Sequence, residues 1–263
     1  MDLISKGQRT EVCMDSLESK IESTHDYIVI KNDLVPDYYG GNKIIFEHAP
    51  HSMHDLESCI EIYHKHFNVA AQKFIHFTWD QHTSDIPKSL IKDHGYHLFE
   101  GQTMQLETMD RPEYMNQGVD VHPVNWNKDI PGLQALHLDP TWERASIDFQ
   151  NRYWTMKWPK LKMMEEVFPG RRWVVKKNKT IVADVGLYAF KNIARFHALM
   201  VDPEYRKQGL ASRILFEAWD YAKKHWDVDV FVLVSEKNSD ASKLYTNLGF
   251  KTIEPFYDVT KVF

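Results

Sequence analysis

The stretch IARFHALMVDPEYRKQGLASRILFEAWDYAKKHWDVDVFVLV, residues 193–234, constrains the fold more than any other part of the chain. It opens on an apolar run, 193–201, and stops at Asp202-Pro203, where proline ends sheet pairing. Residues 208–225 follow as an amphipathic helix, with Ala211, Ile214, Leu215, Ala218 and Ala222 on one stripe. VDVFVLV (228–234) is nearly all apolar and β-branched, as in a strand buried on both faces. A strand, a crossover helix and a second strand of this kind make a parallel pair, so the chain is committed to an α/β fold with a mixed sheet.

The neighbouring segments extend that sheet. VDVHPV reads as a strand, 129–138 as a short helix and 147–167 as a longer one. RWVVK and IVADVGLYAF alternate around the turn Lys177-Asn178-Lys179 and read as a hairpin. Residues 239–248 form a last helix closed by Gly249, and two further strands end the chain. In the first half, Cys13, Leu17 and Ile21 recur at helical spacing. YIVI (27–30), KIIFEHA (43–49) and FIHFTW (74–79) read as strands, and 54–67 and 84–93 as helices, the second ended by Gly95. YHLFEG and TMQLET look like a hairpin. MDRPEYMNQG (109–118), with its proline and glycine and few apolar residues, reads as a linker between a lobe at 1–110 and a domain at 119–263.

Composition narrows the functional classes. The chain has 263 residues and a net charge of −5, which argues against a nucleic-acid partner held by a basic face. Cys13 and Cys59 form neither a C-x-x-C nor a zinc spacing, so they read as two reduced thiols. The opening residues lack the apolar core of a signal peptide, and no run approaches the ~18 residues that span a membrane. The expectation is a cytoplasmic protein with no membrane or nucleic-acid partner, as a monomer or homodimer.

Arg206, Lys207, Gln208, Gly209, Leu210 and Ala211 lie where the strand turns into the helix at Gln208. The first N–H groups of a helix lack internal acceptors and, with the helix dipole, attract anions. Gly209 has no Cβ, so a bulky anion is expected to approach the backbone closely, beside two cations. The pattern is that of a phosphate or pyrophosphate cradle, although an ordinary turn has the same appearance.

VDPEYRKQGLA resembles the acyl-CoA signature of the GNAT acetyltransferase superfamily, (Q/R)-x-x-G-x-(G/A), through Arg206, Gly209 and Ala211. Downstream, NSDASKLYTNLGFK resembles the family's second motif, with Asn238, Ala241, Tyr245 and Gly249-Phe250 in its order. The resemblance covers roughly residues 119–263. It implies acetyl-CoA as acyl donor, with backbone amides of Gln208, Gly209, Leu210, Ala211 and Ser212 on the pyrophosphate, beside Arg206 and Lys207. It implies that the backbone of Leu199, Met200 and Val201 pairs with the pantetheine arm, and that Asn238 contacts the cofactor. It places Tyr245 near the thioester sulfur, as donor to the leaving thiolate. His197 resembles a histidine of arylalkylamine-type members and is the candidate base; by alternation it shares a face with Leu199 and Val201, and Asp184 and Tyr188 are its rivals. No metal is expected, although His48, His51 and His54 recur at three-residue steps.

The first half faintly echoes the second. Pro50 and Gly95-Tyr96 stand to it as Pro203 and Gly249-Phe250 stand to the second half, which suggests a degenerate GNAT-like lobe. Met53, Leu56 and Ser58 then occupy the places of Arg206, Gly209 and Ala211, and Ile91 that of Tyr245. Leu56 is expected to block the phosphate approach. The acceptor side is expected from 137–173, where Trp142, Tyr153, Trp154 and Trp158 accompany Glu143 and Asp148; these suit an organic cation, or simply pack. The leading expectation is an N-acetyltransferase acting on a primary amine of a small molecule. A protein or peptide N-acetyltransferase and a non-catalytic acyl-CoA sensor or scaffold are the alternatives.

Overall fold

The computed structural model describes residues 1–263 except 81–86 and 141–145. The chain divides into two compact units that are discontinuous in sequence. Unit 1 comprises Met1–Met104, Val234–Lys243 and Thr252–Phe263, and unit 2 comprises Gln105–Leu233 and Leu244–Lys251.

Unit 1 contains helix α1 (Lys6–Asp15), strands β1 (Lys20–Ser23), β2 (Tyr27–Lys31) and β3 (Asn42–Phe46), helices α2 (Met53–His66) and α3 (Val69–Gln72), strand β4 (Phe74–Trp79), helix α4 (Lys88–Asp93) and all but the last two residues of strand β5 (His97–Leu106). Alternation along the strands sorts its core into two faces. Val29, Ile44 and Phe46 join Leu56, Cys59 and Tyr63 of α2. Ile28, Ile30 and Ile45 pack against Val12 of α1. Strand β3 pairs with β4 in parallel, so β3, α2 and β4 form a strand–helix–strand unit.

Unit 2 contains β6 (Val121–Pro123), α5 (Ile130–His137), α6 (Ile147–Val167), β7 (Gly170–Lys177), β8 (Thr180–Phe190), β9 (Ile193–Val201), α7 (Leu210–His225) and the start of β10 (Val230–Glu236). Helix α8 (Asp240–Asn247) and strand β11 (Lys251–Val262) close the chain. The order β10-β9-β8-β7-β6 is antiparallel except for the parallel β9–β10 pair. Trp173 meets Tyr221 of α7, whereas its neighbour Arg172 meets His137 of α5 and Trp158 of α6. Successive strand residues point to opposite faces, so this sheet carries helices on both. The result is the expected α/β class, a mixed sheet flanked by helices.

Several elements differ from the sequence reading. Residues 97–106 form one strand rather than a hairpin: Gly101 is not a turn, and a Cβ on it would lie 2.6 Å from the Phe99 ring and 3.3 Å from the Phe256 carbonyl, so glycine leaves room for both. The last segment is also one strand, running through Pro255 before its ladder with β4 begins at Asp258. That ladder draws residues 252–263 into unit 1, whereas the sequence reading assigns them to a domain at 119–263. Residues 109–118 belong to unit 2, with Met109 and Met115 buried. Helix α7 begins at Leu210, two residues later than expected. Residues 84–86 of the helix expected at 84–93 lie outside the described residues. The hairpin turn is as read: Asn178 and Lys179 both have positive φ, the twist a two-residue connection requires.

Candidate active site

The β9–α7 junction is built from a short 3-10 turn, Pro203–Tyr205, and two left-handed residues, Lys207 (φ 55°) and Gly209 (φ 73°). Gly209 is the N-cap of α7, and among the described residues no side chain caps this helix. Its first N–H groups are therefore left for an external acceptor. Arg206, Lys207 and Gln208 are exposed, Gly209 and Ala211 are half-buried, and Leu210 and Ser212 are buried. The Arg206 side chain turns back, its Nε donating to the Val201 carbonyl at 3.1 Å. A third cation, which the sequence reading missed, joins them: Lys177 of the hairpin donates to Gln208 Oε1 at 3.3 Å.

The role expected for Gly209 changes. A Cβ on this residue would lie 2.8 Å from the Asn116 nitrogen and 3.2 Å from the Met115 carbonyl carbon. The space left by the missing side chain is filled by the 115–116 backbone, not held open for an anion. Glycine is required here by its positive φ and by that close approach.

Strand β9 carries a β-bulge. Gly186 of β8 pairs with His197 and Asp184 pairs with Met200, so Val185 stands opposite both Ala198 and Leu199. Ala198 has φ 49°. The extra residue breaks the alternation on which the His197 face was argued. His197 and Met200 share a face with Asp184 and Gly186, whereas Val201, opposite Ala183, lies on the other. The parallel ladder to β10 covers Ile193–Arg195 and Val230–Val232, while β9 runs on to Val201 with its last five residues half-buried.

A buried ion pair braces the bulge. Arg172 and Asp184 are both fully buried. Arg172 Nε donates to Asp184 Oδ2 at 2.5 Å, and His137 Nε2 lies 2.9 Å from Asp184 Oδ1. Arg172 also donates to the Ala198 carbonyl at 3.1 Å, the backbone of the left-handed residue itself. Burial pushes the Asp184 carboxyl up, but the Arg172 charge, with His137, holds it below its usual value. Asp184 is thereby committed to a buried ion pair with Arg172, with His137 on its other oxygen. Tyr188 is fully buried, its ring 6.3 Å from that of His197, and burial raises its phenol well above the ordinary value.

Tyr245 sits on α8, buried, its ring 5.8 Å from Phe250. Burial pushes its phenol up to about 12, so it carries its proton throughout the physiological range. Asn238 follows β10 with φ 63° and belongs to unit 1. On α6, Trp158 is packed rather than presented: it is fully buried, stacks on Trp154 at 4.6 Å and donates to Gln134 at 2.9 Å. Tyr153 and Trp154 are half-buried. Trp142 and Glu143 lie outside the described residues. Among the described residues no group of three or more His, Cys, Asp or Glu is placed to hold a metal, and no helix is long and apolar enough to cross a membrane.

The matching junction of unit 1 differs in detail from the expectation. Helix α2 begins at Met53 with Ser52 as N-cap, so Ser52, not Leu56, corresponds to Gly209. Leu56 is 1 % exposed and lies in the core. What fills this helix start is Asp55, whose carboxylate accepts from the His51 and Ser52 N–H groups at 3.1 and 3.0 Å. Ser52 Oγ accepts from the Asp55 N–H at 3.2 Å, completing a capping box.

Comparisons with known proteins agree with this architecture. Residues 169–252 match the family model for the acetyltransferase (GNAT) domain. A 64-residue segment is 33% identical to an uncharacterized N-acetyltransferase of Methanocaldococcus jannaschii, covering 24% of this chain and 28% of that protein's length. A functionally unknown conserved protein of Staphylococcus epidermidis has a similar fold, with TM-score 0.71 and 15% identity over 94% of this chain and 95% of that one. A tandem GNAT protein from the clavulanic acid biosynthesis pathway superposes with TM-score 0.58 and 11% identity over 90% of this chain and 78% of that one. The segment that builds the bulged strand and the uncapped helix lies within the stretch, residues 169–252, that is similar to the acetyltransferase (GNAT) domain, and the fold as a whole is similar to that of the tandem GNAT protein.

Proposed function

We propose that the protein is an acetyl-CoA-dependent N-acetyltransferase that transfers the acetyl group to a primary amine of a small molecule by direct attack on the thioester. The observation that carries the reading is the uncapped start of α7, with Gly209 at its N-cap and Arg206, Lys207 and Lys177 around it. Such a helix start favours an anionic group, which the diphosphate of CoA supplies.

In this reading the amides of Gln208, Gly209, Leu210, Ala211 and Ser212 hold the diphosphate. The backbone of Leu199, Met200 and Val201, beyond the end of the β10 ladder, holds the pantetheine arm. Asn238 enters only through its sequence motif. Acetyl-CoA supplies an activated thioester. As the neutral amine nitrogen bonds to the carbonyl carbon, a backbone N–H of the Ala198–Met200 bulge stabilises the negative charge that develops on oxygen. The carbon–sulfur bond breaks and the Tyr245 hydroxyl gives its proton to the leaving sulfur. His197 takes the proton that the amine sheds, and returning that proton to Tyr245 completes the cycle.

Cys13 and Cys59, neither in a disulfide, fit a reducing, cytoplasmic setting. The test is thiol release from acetyl-CoA with a panel of small primary amines and a panel of peptides. Release with small amines is the expected result. Release with peptides alone turns the reading to a peptide N-acetyltransferase, and CoA binding without release turns it to a sensor.

A further inference from the structure

Three consecutive carbonyls of the β9–α7 junction are held by one distant segment. Tyr114 Oη donates to the Lys207 carbonyl at 2.6 Å, Asn116 Nδ2 to the Gln208 carbonyl at 3.0 Å, and the Asn116 N–H to the Gly209 carbonyl at 3.2 Å. The Asn116 amide is itself oriented, because the Gly118 N–H donates to its Oδ1 at 3.0 Å and leaves Nδ2 aimed at Gln208. Met115 is buried between the two donors, and the Asn116 nitrogen lies against the face where Gly209 lacks a Cβ.

We propose that Tyr114 and Asn116 are positioning residues of the cofactor site, fastening the junction so that its amides face the diphosphate. The inference rests on the proposed function. Its geometry follows from the planar trans peptide, in which each N–H points opposite to the carbonyl of the same unit. Holding the carbonyls of Lys207, Gln208 and Gly209 against the strap turns the N–H groups of Gln208, Gly209 and Leu210 away from it. Those are three of the amides assigned to the diphosphate. Alternating positive φ values at Lys207 and Gly209 make the kind of concave run of N–H groups that receives anions. Lys207 is not a glycine, so its left-handed backbone needs support from its surroundings, and the Tyr114 bond to its carbonyl gives it.

The test compares Tyr114→Phe and Asn116→Ala with the wild type, using two donors: acetyl-CoA, and S-acetyl-pantetheine, which lacks the diphosphate. Tyr114 is 68 % exposed, so its phenylalanine variant folds normally. Loss of one neutral hydrogen bond to the junction carbonyls is expected to raise KM for acetyl-CoA about threefold to tenfold in each variant, with kcat at saturating donor retained. KM for S-acetyl-pantetheine is expected to stay as in the wild type. Folded variants with unchanged acetyl-CoA affinity overturn the proposal, and so does an equal loss for both donors, which marks a general structural effect. A wild type that binds no CoA refutes the proposed function itself, and this inference with it.

Discussion

The strand–helix–strand units β3–α2–β4 and β9–α7–β10 use the same elements in the same order, yet they present opposite surfaces at the helix start. In the first, the chain provides its own anion: Asp55 accepts from the His51 and Ser52 N–H groups that precede α2. In the second, a left-handed glycine takes the cap position and no carboxylate follows in the first turn. The ladders differ too. The β3–β4 pairing runs to the last residue of both strands, Phe46 opposite Trp79. The β9–β10 pairing covers only the first three residues of each strand, and β9 then bulges at Ala198. An anion site is thus decided by a few residues at a junction, not by the fold that supplies the junction. At the start of α2 the N–H groups are occupied by an internal carboxylate, and Leu56 takes no part because it lies in the core.

The comparison sharpens most at Tyr245, four residues before Gly249 as Ile91 is four before Gly95. Tyr245→Phe removes the hydroxyl and keeps the ring against Phe250. It is expected to lower kcat by about 10²–10⁴ with acetyl-CoA affinity retained. Burial pushes the phenol up to about 12, so the alkaline limb of the wild-type rate profile up to pH 10 is expected to persist in the variant. Full turnover by Tyr245→Phe, measured where chemistry limits the rate, assigns Tyr245 to packing, as for Ile91.

Next in size is the brace under the bulge, which belongs to β9. Arg172→Met leaves the Asp184 charge buried without its partner and is expected to cost about 3–5 kcal/mol of stability. The double change Arg172→Met with Asp184→Leu is expected to recover much of the loss in a denaturant titration while leaving turnover depressed. Recovery of both assigns the pair to stability alone. The Asp184 carboxyl is held below 3.8 in the folded protein. Its contribution is therefore fully present above that pH and is lost as pH falls through the depressed value. Acid unfolding is expected to steepen below about pH 4, and less so in the double variant.

The smallest effect is expected in unit 1. Ser52→Ala removes the N-cap oxygen of α2 and is expected to cost about 0.5–2 kcal/mol by thermal melting. It creates no second CoA site, because the Asp55 carboxylate remains. A gain of a second site shows that Ser52, rather than Asp55, keeps this helix start closed.

The parallel crossover, the hairpin at Asn178-Lys179 and the two family motifs were legible because each is local: a periodicity, a turn pair or a spacing within a dozen residues. What escaped depends on residues distant in sequence. Nothing in YMNQG signals that Tyr114 and Asn116 reach carbonyls at 207–209. Arg172 and Asp184 read as ordinary members of an alternating hairpin, and only the fold brings His137 and the Ala198 carbonyl to them. The bulge is one residue of excess on β9 and leaves no mark on the apolar pattern, so the face of His197 was misread. Leu56 was misread because proline-to-proline offsets do not fix a helix start; the Ser52-Asp55 capping box, visible in the sequence, does so better.

The central claim is that an open helix start in one lobe and a self-filled one in the other decide where CoA binds. Calorimetric titration of acetyl-CoA into the wild type and into Ser212→Asp tests it most directly, since Ser212 holds in α7 the third helical position that Asp55 holds in α2. Each charged hydrogen bond is worth about 1.5–3 kcal/mol, so a carboxylate competing for these amides is expected to weaken binding by about 100-fold or more in a folded variant. The predicted result is one site per wild-type chain, lost or nearly lost in Ser212→Asp. Two sites per chain, or undiminished binding by Ser212→Asp, contradict the account.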